Sequence, residues 1–495
     1  MSSELVNIIF GMKVRQARIE ANLTRGDLAE GADLSLSYLT EIEKGRKYPR
    51  ADKILRMAET LGVEYDTLVS IKLDPSMTYL SSALSSPLLS EFPFEEFSLD
   101  ESQLVNLLTQ APVKASALLH AISEISRQYD LKDEHFLWAM LRSYQEIHEN
   151  YFPELEEAAA DFAREVSLES RTPVTLDVVR DLIEDRFDYE LEDQTLAGDP
   201  TLRGYRSIFV RKQRPRLFVN NLLRPRQLKF LLAREIGYQY LDLKERSYTS
   251  SPDRVDSFQQ ALNDFRASYF SGALLIPLES IRADIHKLFS QEVWRPQLLL
   301  DMLDRYRITP EMLLYRFSEL AGQFFGLGLH FLRLHKAEGR YQVVKRLNMS
   351  RLPIPSGLAL HEHQCRRWLS ARLLQALDER RGTEEVSERP LIGVQMSEFL
   401  ESQDRYLSLG FARPLVLSPQ ITSSVVVGFR VESDLAQVIR FARDPAVPLA
   451  IINETCERCP LSTEQCEVRA AEPFILREQQ LKQDRQEAVE QLMAR

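Results

Sequence analysis

Four cysteines are the side chains of this 495-residue sequence best suited to chemistry. Cys456-Glu457-Arg458-Cys459 is a CxxC knuckle, Cys466 follows after six residues, and Cys365 lies far upstream beside His361 and His363. Three thiols within eleven residues can converge on one ion, and Cys365 as a fourth would tie the two ends of the C-terminal region together. Four thiolates suit tetrahedral zinc or an iron–sulfur cluster, and spacing does not choose between them. The plainer alternative is free thiols, or a redox disulfide between Cys456 and Cys459. A second constellation is Ala233-Arg234-Glu235-Ile236-Gly237-Tyr238. Imidazoles at 234 and 238 would share one helical face and hold zinc, with Glu235 as base. A third ligand would come from the next helix, just before Ala267, where Arg266 stands. Arg234, Tyr238 and Arg266 thus fill all three positions, and a guanidinium cannot coordinate zinc. Without a metal-bound water Glu235 has no nucleophile to activate, so no catalytic residue is assigned. An ion pair with a nearby arginine is its simpler use.

The third constellation is polar and basic. Thr24 is a natural N-cap for a helix carrying Leu28 and Ala29, Gly31 and Asp33 form a turn, and Ser35 caps a further helix, Leu36–Glu43. Gly45 ends it as a left-handed residue would. Leu39 and Ile42 face inward with Leu28, leaving Ser37, Tyr38, Thr40 and Glu41 outside. Helix, tight turn and short second helix with polar residues outward is the geometry that enters a DNA major groove. The segment resembles the Cro/CI-like, or xenobiotic-response-element, helix-turn-helix family over about residues 3–70. Leu23-Thr24, Leu28-Ala29, Ser35, Ser37-Tyr38-Leu39, Ile42-Glu43, Gly45, Pro49, Ile54-Leu55 and Leu61-Gly62-Val63 carry the likeness. Where that family usually has Gln after the Thr, this sequence has Arg25. The resemblance implies Arg25, Ser35, Ser37, Thr40 and Glu41 near the bases, and Lys44, Arg46, Lys47 and Arg50 on phosphates. A small bundle used for protein contact is the alternative.

Charge agrees only locally. The formal net charge is −11, and residues 1–70 hold ten Lys/Arg against eleven Asp/Glu, so the patch at Lys44–Arg50 would steer DNA binding. Hydrophobic content of 44% and charged content of 27% are those of an ordinary soluble protein. No signal-peptide pattern and no run of 18 apolar residues is evident, and four cysteines in so long a chain fit a reducing cytoplasm.

The pattern divides the sequence into a helix-turn-helix domain (1–71), a Pro/Ser-rich linker (72–112), a helical zincin-like middle (113–337), a C-terminal α+β sensor domain (338–475) and a charged helical tail (476–495). The fold class is therefore multidomain and mainly α with α+β parts, its first domain built of five helices. Helical spacing covers 103–167, 173–185, Pro225–Leu243, Phe258–Leu275 and 279–337. Gly204–Leu223 alternates as a β-hairpin. The helical pair in 298–318 has helix-turn-helix spacing but no basic outer face, and reads as packing.

Across about residues 115–280 the sequence resembles the IrrE/ImmA-like metallopeptidases, with the ligand positions replaced. The order of parts then resembles the short-chain fatty-acyl-responsive transcriptional regulators over about residues 3–475. Asn150–Leu155, Phe270–Pro277, the Gly357…Cys365…Trp368 stretch, Arg405–Arg413 and Cys456–Cys466 carry this match. The sequence departs from that family before Cys365, with Leu358–Gln364 and Arg366 in place of glycines and a proline. The resemblance implies a homodimeric or larger regulator of acetate, propionate or glyoxylate genes, bound to a double-stranded operator. It implies acyl-CoA as effector and an iron–sulfur cluster. Gly428 and Arg430 are candidates for a phosphate cradle, on a strand and turn feeding a helix near Ser433, while a core strand with a snorkelling Arg is the commoner explanation of such a run. Two other functions fit less of the pattern: a metal-dependent peptidase that cleaves a repressor, and a phage-like or toxin–antitoxin regulator without a small ligand.

Overall fold

Two local signals start the N-terminal domain. Thr24 and Asp27 form a capping box, the Asp27 N–H donating to Thr24 Oγ1 and the Thr24 N–H to Asp27 Oδ2. Ser35 Oγ accepts from the Tyr38 N–H. The computed structural model describes residues 3–70, 96–97, 133–168, 173–250, 255–354, 362–381, 389–470 and 474–493. It falls into two compact units, Met1–Met140 and Leu141–Arg495. In the first, helices α1 (Ser3–Glu20), α2 (Arg25–Gly31), α3 (Leu36–Glu43), α4 (Ala51–Leu61) and α5 (Tyr65–Val69) enclose Phe10, Val14, Leu28, Leu39, Ile42, Ile54, Met57 and Leu61. A Cβ at Gly11 would come within 2.2 Å of the Ile42 carbonyl oxygen, so only glycine lets α1 approach α3 this closely. Gly45 adopts φ +71°, as its position after α3 requires. Most of the linker expected at 72–112, and the start of the helical block at 103–132, lie outside the described residues.

The second unit begins within helix α6 (Asp133–Ile147). Helix α7 (Pro153–Glu165) precedes α8 (Leu176–Asp181), which continues into a π turn. A four-stranded sheet of order β1-β3-β2-β4 comprises β1 (Glu190–Glu192), β2 (Ser207–Val210), β3 (Arg216–Val219) and β4 (Thr249–Ser250), with α9 (Thr195–Gly198) between β1 and β2. Against it lie α10 (Pro225–Tyr240) and α11 (Phe258–Leu275), whose backbones approach at Gly237 and Ala267. Three further helices follow, α12 (Leu278–Phe289), α13 (Pro296–Arg305) and α14 (Pro310–Phe325). The second and third of these are the pair expected as packing.

The body ends in a six-stranded sheet of order β10-β7-β8-β9-β5-β6, antiparallel except where β10 joins β7. Its strands are β5 (Leu329–Ala337), β6 (Arg340–Asn348), β7 (Leu391–Phe399), β8 (Arg405–Pro414), β9 (Thr422–Arg430) and β10 (Leu449–Ile452). Helix α15 (Leu369–Arg381) packs on β7, β8, β9 and β5, and α14 also lies on β5 and β9. Helix α16 (Leu435–Val438) and the tail helix α17 (Phe474–Met493) complete the chain. The helix expected through residue 337 stops at Phe325, where Gly326 takes φ +65°, so β5 already belongs to this sheet.

The strand β9 decides between the two readings of Gly428 and Arg430 in favour of the core strand. Gly428 is not in a turn: it pairs with His330 on β5 and Ser408 on β8 in the middle of the sheet. A Cβ there would lie 2.3 Å from His330 Cε1. Arg430 closes the strand in an ion pair with Asp404 at 2.8 Å, and the helix beyond has only four residues. Gly428→Ala should therefore overpack the sheet and cost about 1–3 kcal/mol. Urea unfolding of the variant checks this, and an unchanged midpoint would contradict the packing.

Candidate nucleic-acid interface and the large body

The recognition helix is held by charge as well as by its apolar face. Glu43, at the C-terminal end of α3, is 1% exposed. Its Oε1 accepts from Arg18 Nε at 2.5 Å and its Oε2 from Arg25 Nε at 2.7 Å, so α1 and α2 both grip it. Arg18 also donates to the Leu23 carbonyl oxygen at 2.9 Å, fixing the turn into α2. Arg25 therefore braces α3 through Nε, while 41% of its side chain stays open to solvent. Ser37 is exposed, and Tyr38 lies half-buried against the core. Thr40 Oγ1 donates back to the Leu36 carbonyl oxygen. Glu41 faces Arg46 at 3.7 Å and Lys44 at 4.0 Å, so it steadies the basic group instead of standing free to meet a base. Arg46, Lys47 and Arg50 are exposed on the segment after the helix, where backbone phosphates would lie.

In the body, Glu235 is fully buried in a two-pronged pair with Arg246, Nη1 to Oε2 and Nη2 to Oε1, both 2.7 Å. The Arg246 guanidinium lies 3.8 Å from the Tyr238 ring centroid and 4.0 Å from that of Phe209. Tyr189 donates to Glu235 Oε2 at 3.3 Å. Tyr238 donates to Asp264 Oδ1 at 2.6 Å, and burial pushes the Tyr238 phenol far above its ordinary range. The ion pair expected for Glu235 is thus present, and its partner is a residue that local pattern did not single out. The side chain that meets Tyr238 is Asp264, two residues before Arg266. Two residues along a helix turn the side chain by about 200°, which moves it off the shared face. Arg234 stands next to this group, half-buried, its Nε without a hydrogen-bond partner.

Two family models match the chain, a helix-turn-helix over residues 14–68 and an IrrE N-terminal-like domain over residues 192–318. Control protein C.BamHI of Bacillus amyloliquefaciens is 35% identical over 60 residues, 12% of this chain and 74% of that protein. By its N-terminal domain, the chain belongs to the Cro/CI-like helix-turn-helix family. The immunity repressor protein of Bacillus phage phi105 is 37% identical over 59 residues, 12% of this chain and 41% of that protein. A propionyl-CoA carboxylase regulator of Cereibacter sphaeroides is 25% identical over 166 residues, 31% of this chain. The chain spans about a third of that regulator, 35% of its length.

The cysteines follow the helix-turn-helix and IrrE-like domains in sequence. Gln364 and Thr455 form an antiparallel bridge, with the Cys365 N–H donating to the Glu454 carbonyl and the Cys456 N–H to the His363 carbonyl. Cys365, Cys456, Cys459 and Cys466 are all buried, and none is in a disulfide. Burial, reinforced by the nearby Cys456 and Cys459, raises the Cys365 thiol to about 11. Ala470 donates its N–H to Cys456 Sγ at 3.4 Å, and Arg469 binds the carbonyls of Cys456 and Cys459. The donor set suits a thiolate-bound metal or cluster, although no three such side chains among the described residues already converge as a metal site. His363 is engaged elsewhere, with Nδ1 2.7 Å from Glu457 Oε1, and His361 lies outside the described residues.

The Glu235–Arg246 pair generates a direct expectation. Glu235→Gln leaves a buried guanidinium without its counter-charge and should cost about 3–5 kcal/mol in denaturant unfolding. Replacing both partners, Glu235→Leu with Arg246→Met, should recover most of that loss. A double variant as unstable as the single one would show that the charges themselves are not the issue.

Proposed function

We propose that the protein is a DNA-binding transcriptional regulator that reads a double-stranded operator as a homodimer and takes its instruction from the large C-terminal body. The supporting observation is the presentation of α3. Its inner face is fixed by Leu39, Ile42 and the Glu43 clamp, and its outer edge runs into the exposed cations Arg46, Lys47 and Arg50. Among the described residues no helix is long and apolar enough to cross a membrane, which accords with a cytoplasmic regulator. Anisotropy titration against operator DNA selected in vitro tests the reading. Arg46→Ala with Lys47→Ala should weaken all sequences alike and lower the slope of log K against log salt by about two. An unchanged affinity would remove these residues from the phosphate contacts.

In this proposal the body is a binding scaffold and not a peptidase. Arg234 and Tyr238 stand where imidazoles would be required, and Arg246 supplies the positive charge that Glu235 faces. Short-chain acyl-CoA is the effector class, a reading supported by the partial likeness to a propionyl-CoA carboxylase regulator, with acetate, propionate or glyoxylate genes as targets. Cys365, Cys456, Cys459 and Cys466 would hold an iron–sulfur cluster, which would give the regulator a redox-sensitive element; zinc is the alternative for the same ligands. Anaerobic purification separates them: iron and sulfide with visible absorption select the cluster, one colourless zinc selects a structural site, and neither excludes both. Stoichiometric zinc surviving replacement of all four cysteines would instead revive the peptidase reading.

A further inference from the structure

Arg333 and Arg413 of the body meet one carboxylate, Glu311, and Arg206 lies close enough to feel both of them, Glu311 and Arg234. Arg206 enters just ahead of β2, Arg234 from α10, Arg333 from β5 and Arg413 from the end of β8, while Glu311 sits in the first turn of α14. Glu311 is already committed. Its Oε2 accepts from Arg413 Nη2 at 2.5 Å and its Oε1 from Arg413 Nε at 3.4 Å, with Arg333 Nη2 3.8 Å away. Arg333 Nε turns to Ser423 Oγ at 3.2 Å. Among the described residues, neither Arg206 nor Arg234 makes an ion pair. Arg234 Nε and His335 Nε2 are buried without a hydrogen-bond partner. Burial, and then the charge of Arg333, pull Arg206 down to about 10; Arg234 and Arg413 add to this and Glu311 opposes it.

We propose that this cluster is an anion site for a ligand bearing clustered phosphate groups, with Arg206 and Arg234 as principal contacts and the Glu311-steadied Arg333 and Arg413 as its edge. Unneutralised guanidinium groups held in a half-buried position repel one another and carry a desolvation cost that a bound anion would offset. Planar, forked donors converging from separate strands and a helix match phosphate oxygens better than a point charge would. A lone carboxylate would leave most of the positive charge uncompensated, whereas a diphosphate would not. All four arginines keep part of their surface open, so a small molecule can reach them. Arg234 also explains the altered metallopeptidase pattern: an imidazole there would attract a cation, and a guanidinium attracts an anion. The ligand would join α10 and β2 of the IrrE-like domain to β5 and β8 of the C-terminal sheet. The inference does not rest on the acyl-CoA reading, with which it shares only phosphate chemistry.

Inorganic pyrophosphate is the probe, titrated into the full-length protein by calorimetry and followed by thermal melting, with sodium chloride at matched ionic strength as reference. Saturable binding of one pyrophosphate per chain is expected, raising Tm by roughly 5 °C at a hundredfold excess over Kd. Arg206→Gln with Arg234→Gln should weaken binding at least tenfold while melting, without ligand, no lower than the wild type, because repulsion has been removed. No binding beyond the chloride reference, or an unchanged Kd in that variant, overturns the proposal. Should the variant melt lower, Arg206→Lys decides, since it keeps the charge and loses the fork: a several-fold weaker Kd supports the site and an unchanged one rejects it. Competition with acetyl-CoA then separates sources. Displacement of pyrophosphate makes an acyl-CoA the phosphate donor, and its absence assigns the site to a separate phosphate ligand. Acetyl-CoA binding that survives the double variant leaves the effector reading intact while placing it elsewhere.

Discussion

The two most deeply buried guanidinium groups of the large body, Arg316 and Arg246, each meet a carboxylate, and this pairing fixes the packing of the body more specifically than apolar contact does. Arg316, 1% exposed, carries the heaviest share. It binds Glu156 of α7 through both Nη atoms at 2.5 and 2.7 Å, Glu319 of its own helix at 2.8 Å, and the Ile276 carbonyl at the end of α11 at 3.2 Å. Tyr269 of α11 donates to the same Glu156. Three helices far apart in sequence are thereby fixed in one register. Two carboxylates share one guanidinium, and burial together with Glu156 lifts Glu319 to about 7 in spite of the Arg316 charge. A buried pair of this kind adds little net stability over apolar residues, but breaking it is costly, so it acts chiefly against alternative packings.

The Asn150–Leu155 stretch makes sense in the same terms. Asn150, fully buried with φ +54°, donates to Ser318 Oγ and accepts from Gln145. The Phe152 N–H donates to Tyr269. The motif is the turn that delivers α7, and therefore Glu156, to Arg316. Its residues are structural, and what they serve is the geometry of the large body.

What the sequence disclosed and what it hid follow from range. Thr24, Ser35 and Gly45 act within four residues, so the helix-turn-helix could be read from local spacing, as could Phe258–Leu275 with its serine cap and following proline. The Glu235 partner was hidden because Arg246 is placed by a loop and not by helical period. Asp264 was missed because a two-residue slip along α11 changes its face. At β9 the sequence left two readings open for another reason: every residue from Thr422 to Phe429 is buried, and the alternation that marks a half-exposed strand disappears. A continuous apolar run ending in Gly-Phe-Arg then fits a core strand or a strand entering a turn. Cys365 and Cys456 flank a backbone bridge between Gln364 and Thr455 that no spacing rule encodes.

Glu43 shows how the same rule reaches the DNA-binding end. A carboxylate at the C-terminus of a helix is disfavoured by the helix dipole, and burying it adds desolvation. Arg18 and Arg25 reverse both penalties only while α1, α2 and α3 keep their mutual positions. The recognition helix is thus set by a charge pair whose strength falls steeply with separation once water enters, while its apolar contacts fade more gradually with area. A small displacement of α1 or α2 would release the end of α3 nearest the basic segment before it disturbed the core. Control over DNA affinity therefore does not require the domain to unfold. It needs only a shift large enough to admit water between Glu43 and its two arginines, and Arg25, already partly exposed, is where water enters first.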